Sequence, residues 1–175
     1  MPANIEIKAK ITDFARTCVL AEALSDTPAE TLVQEDIFFY LPNASQGRLK
    51  LRQFSPVRGE LIFYQRENSA GPKKCVYEIV PTVMPDSLKS LLAKALGVRG
   101  TVSKTRLLYR VGQTRIHLDK VKQLGEFLEL EVVLRPGQSE MEGQQIASAL
   151  MERLAVPKTD LIERAYIDLL IAMSE

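Results

Sequence analysis

Residues 115–134, RIHLDKVKQLGEFLELEVVL, contain the pattern that decides the fold. In the second half of this stretch, Glu129 and Glu131 alternate with aliphatic residues. Strict alternation predicts a β-strand that carries both carboxylates on one face and the aliphatic side chains on the other. At a rise of ~3.3 Å per residue, the two carboxylates are close enough to share a divalent cation or to hold neighbouring ones.

Charged residues are also sorted by sign along other predicted strands. The first half of the same stretch places a cation, an imidazole and an acid on one face, and these are Arg115, His117 and Asp119. Residues 48–54 place three cations on one face, namely Arg48, Lys50 and Arg52, and residues 101–111 place Lys104 and Arg106 together. Exposed strands usually mix the two signs, so this segregation requires an explanation.

Two interpretations of the sorted charges are open. In the first, the polar faces of the strands look into water, as most half-exposed strands do. In the second, the charged faces line an enclosed lumen. Two cations ~7 Å apart repel by roughly 0.6 kcal/mol in water and by roughly 2.4 kcal/mol at an effective dielectric of about 20. A row of cations is therefore tolerated on an open face, whereas in a lumen it requires a polyanion.

Apolar periodicity and turn residues predict an α+β protein with about eight consecutive, antiparallel strands. The predicted strands cover residues 4–11, 31–41, 48–54, 60–67, 74–80, 101–111 and 114–120, followed by the acidic strand that ends before Pro136. One predicted helix runs from a Thr12 cap to about residue 24, a second runs from Pro85 to Gly97, and two more cover residues 139–154 and 158–173. Residues 42–47 are predicted to form a turn.

The predicted helices favour the second interpretation, in which the charged faces of the strands line an enclosed lumen. Each helix has an apolar stripe that must cover another apolar surface, and the apolar faces of the strands are the surface available. Helices on the outside force the charged faces inward, which predicts a barrel with a polar lumen. In such a lumen, cations would hold the oxygens of a polyphosphate, and acids would hold a Mg²⁺ or Mn²⁺ ion that bridges them.

Length and composition set the remaining expectations. The 175 residues, 46% of them hydrophobic, predict a single domain over residues 1–175, as a monomer or a homodimer. The 23 basic and 22 acidic side chains nearly cancel, which predicts no general affinity for nucleic acid or for an anionic membrane. Two cysteines, no apolar signal core and no long apolar run predict a cytoplasmic protein.

Six motifs in this order resemble the CYTH family, also called the triphosphate tunnel metalloenzymes. They are Glu6-Ile-Lys8, RLKLR from Arg48, KTRLLYR from Lys104, RIHLD from Arg115, LGEFLELE ending at Glu131, and the terminal AYIDLL. The resemblance covers nearly the whole chain. The family includes class IV adenylate cyclases, thiamine triphosphatases and inorganic triphosphatases.

The resemblance implies an eight-stranded antiparallel closed β-barrel, with helices on the outside and a triphosphate-binding tunnel inside. It implies that the triphosphate is bound by Lys8, Lys50, Arg52, Lys104 and Arg106, with Arg48 and Arg115 as further candidates. It also implies metal binding and catalysis by Glu6, Glu129 and Glu131, with Asp119 as a possible helper ligand.

Two positions depart from the family pattern. The family's Glu-x-Glu-x-Lys motif has Asn4 at its first position here, and a neutral amide binds Mg²⁺ more weakly than a carboxylate does. Where relatives often place a lysine on the fourth strand, this chain has Gln65 and Arg66. These departures are compatible with a shifted substrate or with a weak enzyme.

The expected activity is hydrolysis of a phosphoanhydride bond in tripolyphosphate or an organic triphosphate, with Mg²⁺ or Mn²⁺ as the cofactor. One alternative is a class IV adenylate cyclase that converts ATP to cyclic AMP and pyrophosphate. A second alternative is a binder of polyphosphate or nucleotides without catalytic activity, which Asn4 makes plausible. His117 is interpreted as a structural group in preference to a general base.

Overall fold

The computed structural model describes residues 1–43 and 47–175, so the predicted turn at residues 42–47 lies partly outside the described residues. The strands are β1 (Ala3–Lys10), β2 (Glu30–Phe39), β3 (Arg48–Ser55), β4 (Arg58–Arg66), β5 (Lys73–Thr82), β6 (Val98–Val111), β7 (Thr114–Val121) and β8 (Gly125–Val133). The helices are α1 (Phe14–Leu24), α2 (Pro85–Leu96), α3 (Glu140–Arg153) and α4 (Tyr166–Ser174). A 3₁₀ turn lies at Lys158–Asp160.

The eight strands form one closed antiparallel barrel in the order β1-β5-β4-β3-β2-β6-β7-β8, in which β8 pairs with β1. This confirms the predicted fold. Alternation along each strand decides which side chains enter the lumen. In β1, Ile5 and Ile7 are fully buried in the outer hydrophobic core, whereas Glu6 and Lys8 line the lumen.

Three helices cover the outside of the barrel. Helices α1 and α3 pack on the apolar outer faces of β1, β7 and β8, where Leu128 and Leu130 are fully buried. Burying one such side chain contributes roughly 1.5–3 kcal/mol. Helix α3 approaches closely at Gly143, where an added Cβ atom would lie 2.7 Å from Cγ1 of Ile5. Helix α2 covers β2 and β3 through Leu88 and Leu92.

The last helix does not begin where the sequence predicts. The predicted helix at residues 158–173 is wrong over its first half, because α4 begins only at Tyr166. The preceding segment is extended and runs along β1, where the Ile162 amide donates to the Lys8 carbonyl at 2.9 Å. The predicted Thr12 cap is also wrong, because the Asp13 side chain accepts from the Arg16 amide and caps α1.

Helix α4 covers one end of the barrel and leaves the other end open. Ala165 and Tyr166 line the cavity inside the barrel, and Ile167 packs against Gly100 at the start of β6. Asp168 accepts hydrogen bonds from Arg48 at 2.8 Å and from Arg99 at 2.7 Å, which ties α4 to β3 and β6. Among the described residues, no helix has both the length and the apolar character needed to span a membrane.

Candidate functional site

The inward faces of the strands enclose a cavity of about 290 Å³. This volume is close to the lower end of the range found for small-molecule sites. Among the described residues, nine basic and six acidic side chains line the cavity, which leaves a net charge of +3. The chain as a whole carries only +1, so the basic excess is concentrated inside the barrel.

Most of the predicted triphosphate-binding cations point into this cavity. The cavity lining includes Lys8, Lys50, Arg52, Lys104, Arg106 and Arg115. Arg48 is placed differently, because it lies at the end covered by α4 and pairs there with Asp168 at 2.8 Å. The cavity lining also includes Arg58, Arg66 and Arg110, which the sequence analysis did not identify as binding residues.

Three of the cations converge on Asp36, a buried residue of β2 that the sequence analysis missed. Arg52 donates to both carboxylate oxygens at 2.7 and 2.8 Å, Lys50 donates at 2.9 Å, and the Lys104 Nζ lies at 3.5 Å. Burial alone would raise the pKa of Asp36, but the charges of Arg52, Lys50 and Lys104 hold it well below its ordinary value. Asp36 is therefore ionised and fixes the directions in which three cations point.

Lys104 is the cation with the most strongly perturbed environment on this side of the cavity. Its side chain is 3% exposed, and its Nζ lies 5.3 Å from the centre of the Tyr166 ring. Burial, followed by the charge of Arg106, lowers the pKa of Lys104 to about 7. A bound polyanion would stabilise the protonated form of this lysine.

Arg106 is held by a second buried acid, Asp119. The guanidinium donates to both Asp119 oxygens at 2.7 Å, and the Tyr166 hydroxyl donates to the same carboxylate at 2.9 Å. Burial would raise the pKa of Asp119, but Arg106 and Lys104 lower it below its ordinary value. Asp119 is 0% exposed, and its oxygens are committed to Arg106 and Tyr166. This arrangement supports a role for Asp119 in positioning Arg106.

The three predicted acidic site residues face the cations across the cavity. Glu6 lies directly opposite Glu131 in the β1–β8 register, and Glu129 lies opposite Lys8. Glu129 pairs with Lys8 at 3.1 Å, Glu131 with Arg115 at 2.8 Å, and Glu6 with Arg66 at 3.4 Å. Burial, followed by the charges of Glu129 and Glu131, raises the pKa of Glu6. At Glu6, the repulsion from the other two acids is therefore larger than the attraction from the nearby cations.

His117 lies between two of these acids. One ligand atom each from His117, Glu129 and Glu131 lies within 4.8 Å of the other two. Burial, followed by the charge of Arg106, lowers the pKa of His117, which favours the neutral imidazole. Carboxylate oxygens and a neutral imidazole are common ligands of divalent metal ions. The raised pKa of Glu6 and this donor set both fit a bound cation.

Comparison with known proteins identifies the family. The CYTH domain family matches residues 2–166. The chain belongs to the CYTH family. It is 27% identical over 170 residues to adenylate cyclase CyaB of Aeromonas hydrophila, a match that covers 93% of this chain and 86% of that protein.

Solved structures share the fold of this CYTH protein. The PH1012 protein of Pyrococcus horikoshii OT3 superposes with a TM-score of 0.82 at 22% identity, over 95% of this chain and 98% of that one. HpAC1 of Hippeastrum, for which a dominant triphosphatase activity is reported, superposes with a TM-score of 0.66 at 15% identity, over 98% of this chain and 95% of that one. At these identities the likeness shows the fold alone.

At each of the two departures from the family motifs, one residue lies in the lumen of this CYTH protein, namely Asn4 at the first and Arg66 at the second. Asn4 is 2% exposed, and its Oδ1 atom has no hydrogen-bond partner among the described residues. Arg66 lines the cavity and donates to Glu6 at 3.4 Å and to the Glu163 carbonyl at 3.3 Å. The fourth strand therefore still supplies a cation to the lumen, and the alternation of β4 was the signal that could have identified it.

Proposed function

We propose that this CYTH protein is a divalent-metal-dependent triphosphatase that hydrolyses a phosphoanhydride bond of tripolyphosphate or of an organic triphosphate. The observation that carries the proposal is the division of the lumen into two facing halves. One half presents cations that converge on Asp36, and the other presents Glu6, Glu129 and Glu131 beside His117. A triphosphate chelated to a metal ion has this charge distribution, with anionic oxygens on one side and a cation on the other.

Different residues of the chain would bind the phosphate, orient the binding groups and hold the metal ion. Lys50, Arg52 and Lys104 would transfer their hydrogen bonds from Asp36 to phosphate oxygens, and Arg106 would stay oriented by Asp119. Glu6, Glu129 and Glu131 would hold the divalent ion. When bound, that ion polarises the phosphate and lowers the pKa of a water nucleophile. Fixed donors around the reacting phosphorus supply charge stabilisation without reorganisation during the reaction.

The shape of the lumen supports one orientation of the substrate. The end covered by α4 carries Tyr166, whose ring centre lies 3.9 Å from the Lys8 Nζ. The lining near the opposite strand ends combines apolar side chains with charged ones, and the charged ones include the ion pair of Arg110 with Glu30 at 3.2 Å. The apolar side chains are Leu32, Phe54, Ile79 and Leu108. A polyanion is favoured among the cations in the middle and at the covered end. An organic group would then extend towards the apolar side chains at the open end.

A class IV adenylate cyclase is the second candidate, and the 27% identity to the cyclase of Aeromonas hydrophila favours it. That reaction would use the same cations and acids, with the ribose 3′-hydroxyl in place of water as the nucleophile. It would also require the nucleoside to be folded back towards the α-phosphate. A protein that binds the anion without turning it over is the remaining alternative.

One assay separates these candidates. Purified protein is incubated with Mg²⁺ or Mn²⁺ and, in turn, with tripolyphosphate, thiamine triphosphate and ATP, and the products are identified by ³¹P NMR and chromatography. Free phosphate that disappears on chelation of the metal supports the triphosphatase. Pyrophosphate together with cyclic AMP supports the cyclase and overturns the proposal. Saturable binding without any product supports the binder.

A further inference from the structure

His117 is a lumen residue that the mechanism above does not use. It lies on β7 opposite Glu129 in the β7–β8 register, lines the cavity and is 4% exposed. The neighbouring inward positions on the same strand are Arg115 and Asp119, which are committed to Glu131 and Arg106. The His117 imidazole is thus the one neutral nitrogen donor that β7 directs at the acidic half of the lumen.

The two ring nitrogens of His117 face two different carboxylates. Nδ1 lies 3.3 Å from Glu129 Oε1, and Nε2 lies 3.9 Å from Glu131 Oε2. The shorter contact has the geometry of an Nδ1–H donor to Glu129, which leaves the Nε2 lone pair directed towards Glu131. A carboxylate that accepts from one nitrogen while the other nitrogen binds metal is the usual arrangement of metal-binding histidines in proteins. In this arrangement Glu129 would hold the ion indirectly, through the imidazole, and Glu131 would hold it directly.

A second observation points to a ligand at the same place. Asn4 lies on β1 opposite Val133, so Glu131 is its diagonal neighbour across the β1–β8 pair. The Asn4 side chain lines the lumen, and its Oδ1 atom is buried without a partner among the described residues. Leaving a buried carbonyl oxygen without a hydrogen-bond partner destabilises the folded protein. A cation bound beside Glu131, or one of its water ligands, would give this oxygen a partner.

We propose that His117 is a ligand of the divalent metal ion and that it makes this lumen select a first-row transition ion such as Mn²⁺ over Mg²⁺. The proposal rests on the metal-dependent function above and adds the metal class. Mg²⁺ is bound by oxygen ligands, whereas imidazole nitrogen suits transition ions, whose affinities follow the Irving–Williams order. One nitrogen among oxygen ligands therefore shifts the preference away from Mg²⁺.

The described contacts permit this coordination after a small rearrangement. Neighbouring ligands of an octahedral ion are about 3 Å apart when each bond is about 2.1 Å long. The 3.9 Å gap between Nε2 and Glu131 must therefore close by about an ångström, within the reach of side-chain rotation. Arg115 holds Glu131 at 2.8 Å through a side chain that is 36% exposed, so Glu131 would have to give up a partly solvated ion pair and not a fully buried one.

The competing explanation is that His117 only orients Glu129 by a hydrogen bond. Pulsed electron spin resonance on the Mn²⁺-loaded protein distinguishes the two, because a directly bound nitrogen modulates the electron spin echo. The chain has a single histidine, so tag-free protein labelled with ¹⁵N-histidine assigns the signal to His117 without ambiguity. We expect ¹⁴N modulation that changes to the ¹⁵N pattern on labelling. A spectrum without nitrogen coupling would overturn the proposal.

Metal titrations of the His117→Asn variant give an independent test. We expect the Mn²⁺ dissociation constant to rise by about tenfold or more, as for other losses of metal-site partners, and the Mg²⁺ constant to change by less than about threefold. Equal losses for the two ions would contradict the proposal and favour a purely orienting role. Glu126→Gln, at a partly exposed position of β8 outside the lumen, serves as the matched control and should leave the Mn²⁺/Mg²⁺ ratio unchanged.

The two proposals fail in different ways. Mn²⁺ that binds and supports hydrolysis without nitrogen coupling would remove His117 from the ligand set and leave the triphosphatase intact. Mn²⁺ that shows nitrogen coupling in a protein without hydrolytic activity would keep the site and remove the triphosphatase. A lumen that binds neither ion, with or without tripolyphosphate, would overturn both.

Discussion

The carboxylate of Asp36 accepts two hydrogen bonds from the guanidinium of Arg52, at 2.7 and 2.8 Å, in the interior of the barrel. Asp36 is 2% exposed, and the same carboxylate accepts from Lys50 at 2.9 Å. Since these cations are also the groups proposed to bind phosphate, Asp36 and a polyphosphate compete for the same donors. This competition gives the first prediction.

Replacing Asp36 by asparagine keeps the shape of the side chain and removes its charge. We expect the free energy of unfolding to fall by about 3–5 kcal/mol, because buried cations lose their counter-charge. Saturating tripolyphosphate should stabilise the variant more than the wild type, because Lys50 and Arg52 no longer have to leave Asp36. Urea denaturation with and without tripolyphosphate measures both effects.

The neighbouring Glu35 offers a matched control for the Asp36 variant. Its side chain is 43% exposed and pairs with Lys89 on the surface. Glu35→Gln should change the free energy of unfolding by less than about 0.5 kcal/mol, as is usual at exposed positions. Equal effects of the two substitutions would contradict the role assigned to Asp36.

Lys104 gives a prediction about pH. Its pKa in the folded protein is about 7, whereas a lysine in an unfolded chain titrates near 10.5. Between these values the unfolded state binds more protons, so the contribution of Lys104 to the free energy of unfolding rises with pH across this window. The affinity for tripolyphosphate should depend on pH in the opposite direction, because binding favours protonated Lys104. The affinity should fall by up to about tenfold per pH unit above 7.

Calorimetry in buffers of different ionisation enthalpy measures the protons taken up on tripolyphosphate binding at pH 8. Wild type should take up close to one proton more than Lys104→Met, because the methionine variant has no lysine to reprotonate. Lys122→Met, in the exposed turn after β7, should match the wild type. The same uptake in wild type and Lys104→Met would contradict the assignment.

Glu131→Gln tests the acidic half of the lumen. We expect metal-dependent phosphate release to fall by about 100-fold or more, because the substitution removes a proposed metal ligand. The fold should persist, as judged by an unchanged circular dichroism spectrum. Glu126→Gln lies on the same strand with a 38% exposed side chain and should retain wild-type activity. Full activity in Glu131→Gln would remove Glu131 from the metal site.

The barrel was predictable from the sequence because alternation has a period of two and therefore assigns each residue to one face. This is why Lys50 and Arg52 were placed correctly inside the lumen. Arg48 has the same parity, yet it pairs with Asp168, because the position of α4 is decided by tertiary packing. The boundary of α4 was missed for the same reason, since the segment before Tyr166 bonds to β1 instead of forming a helix.

Asp36 belongs to the part of the site that could not be predicted from the sequence alone. Its segment, TLVQEDIFFYL, has the apolar and aromatic composition of a strand, and its two adjacent acids, Glu35 and Asp36, carry no signal that shows which of them enters the lumen. Its role comes from the β2–β3 register, which places Asp36 opposite Arg52 across the sheet. Register between strands depends on the whole barrel and not on local composition. Asp119 was expected as a possible helper ligand of the metal, and its bonds to Arg106 and Tyr166 could not be predicted, because Tyr166 reaches it from the far end of the chain.

The Tyr166 hydroxyl is predicted to stabilise the covered end of the barrel. Tyr166→Phe removes its hydrogen bond to the ionised Asp119 and keeps the ring beside Lys8. We expect a loss of about 2 kcal/mol in the free energy of unfolding, measured by urea denaturation. The exposed Tyr40 provides the control, and Tyr40→Phe should have no measurable effect. A loss no larger than in the Tyr40 variant would show that the hydroxyl contributes nothing.

The most direct test of the account is a crystal structure of the protein with tripolyphosphate and Mn²⁺, using the anomalous signal of manganese to locate the ion. The account predicts phosphate oxygens within hydrogen-bond distance of Lys50, Arg52 and Arg106, and a manganese peak beside Glu131 inside the barrel. Tripolyphosphate and manganese bound only on the outer surface, with the lumen side chains still paired to one another at saturating concentrations, would contradict it.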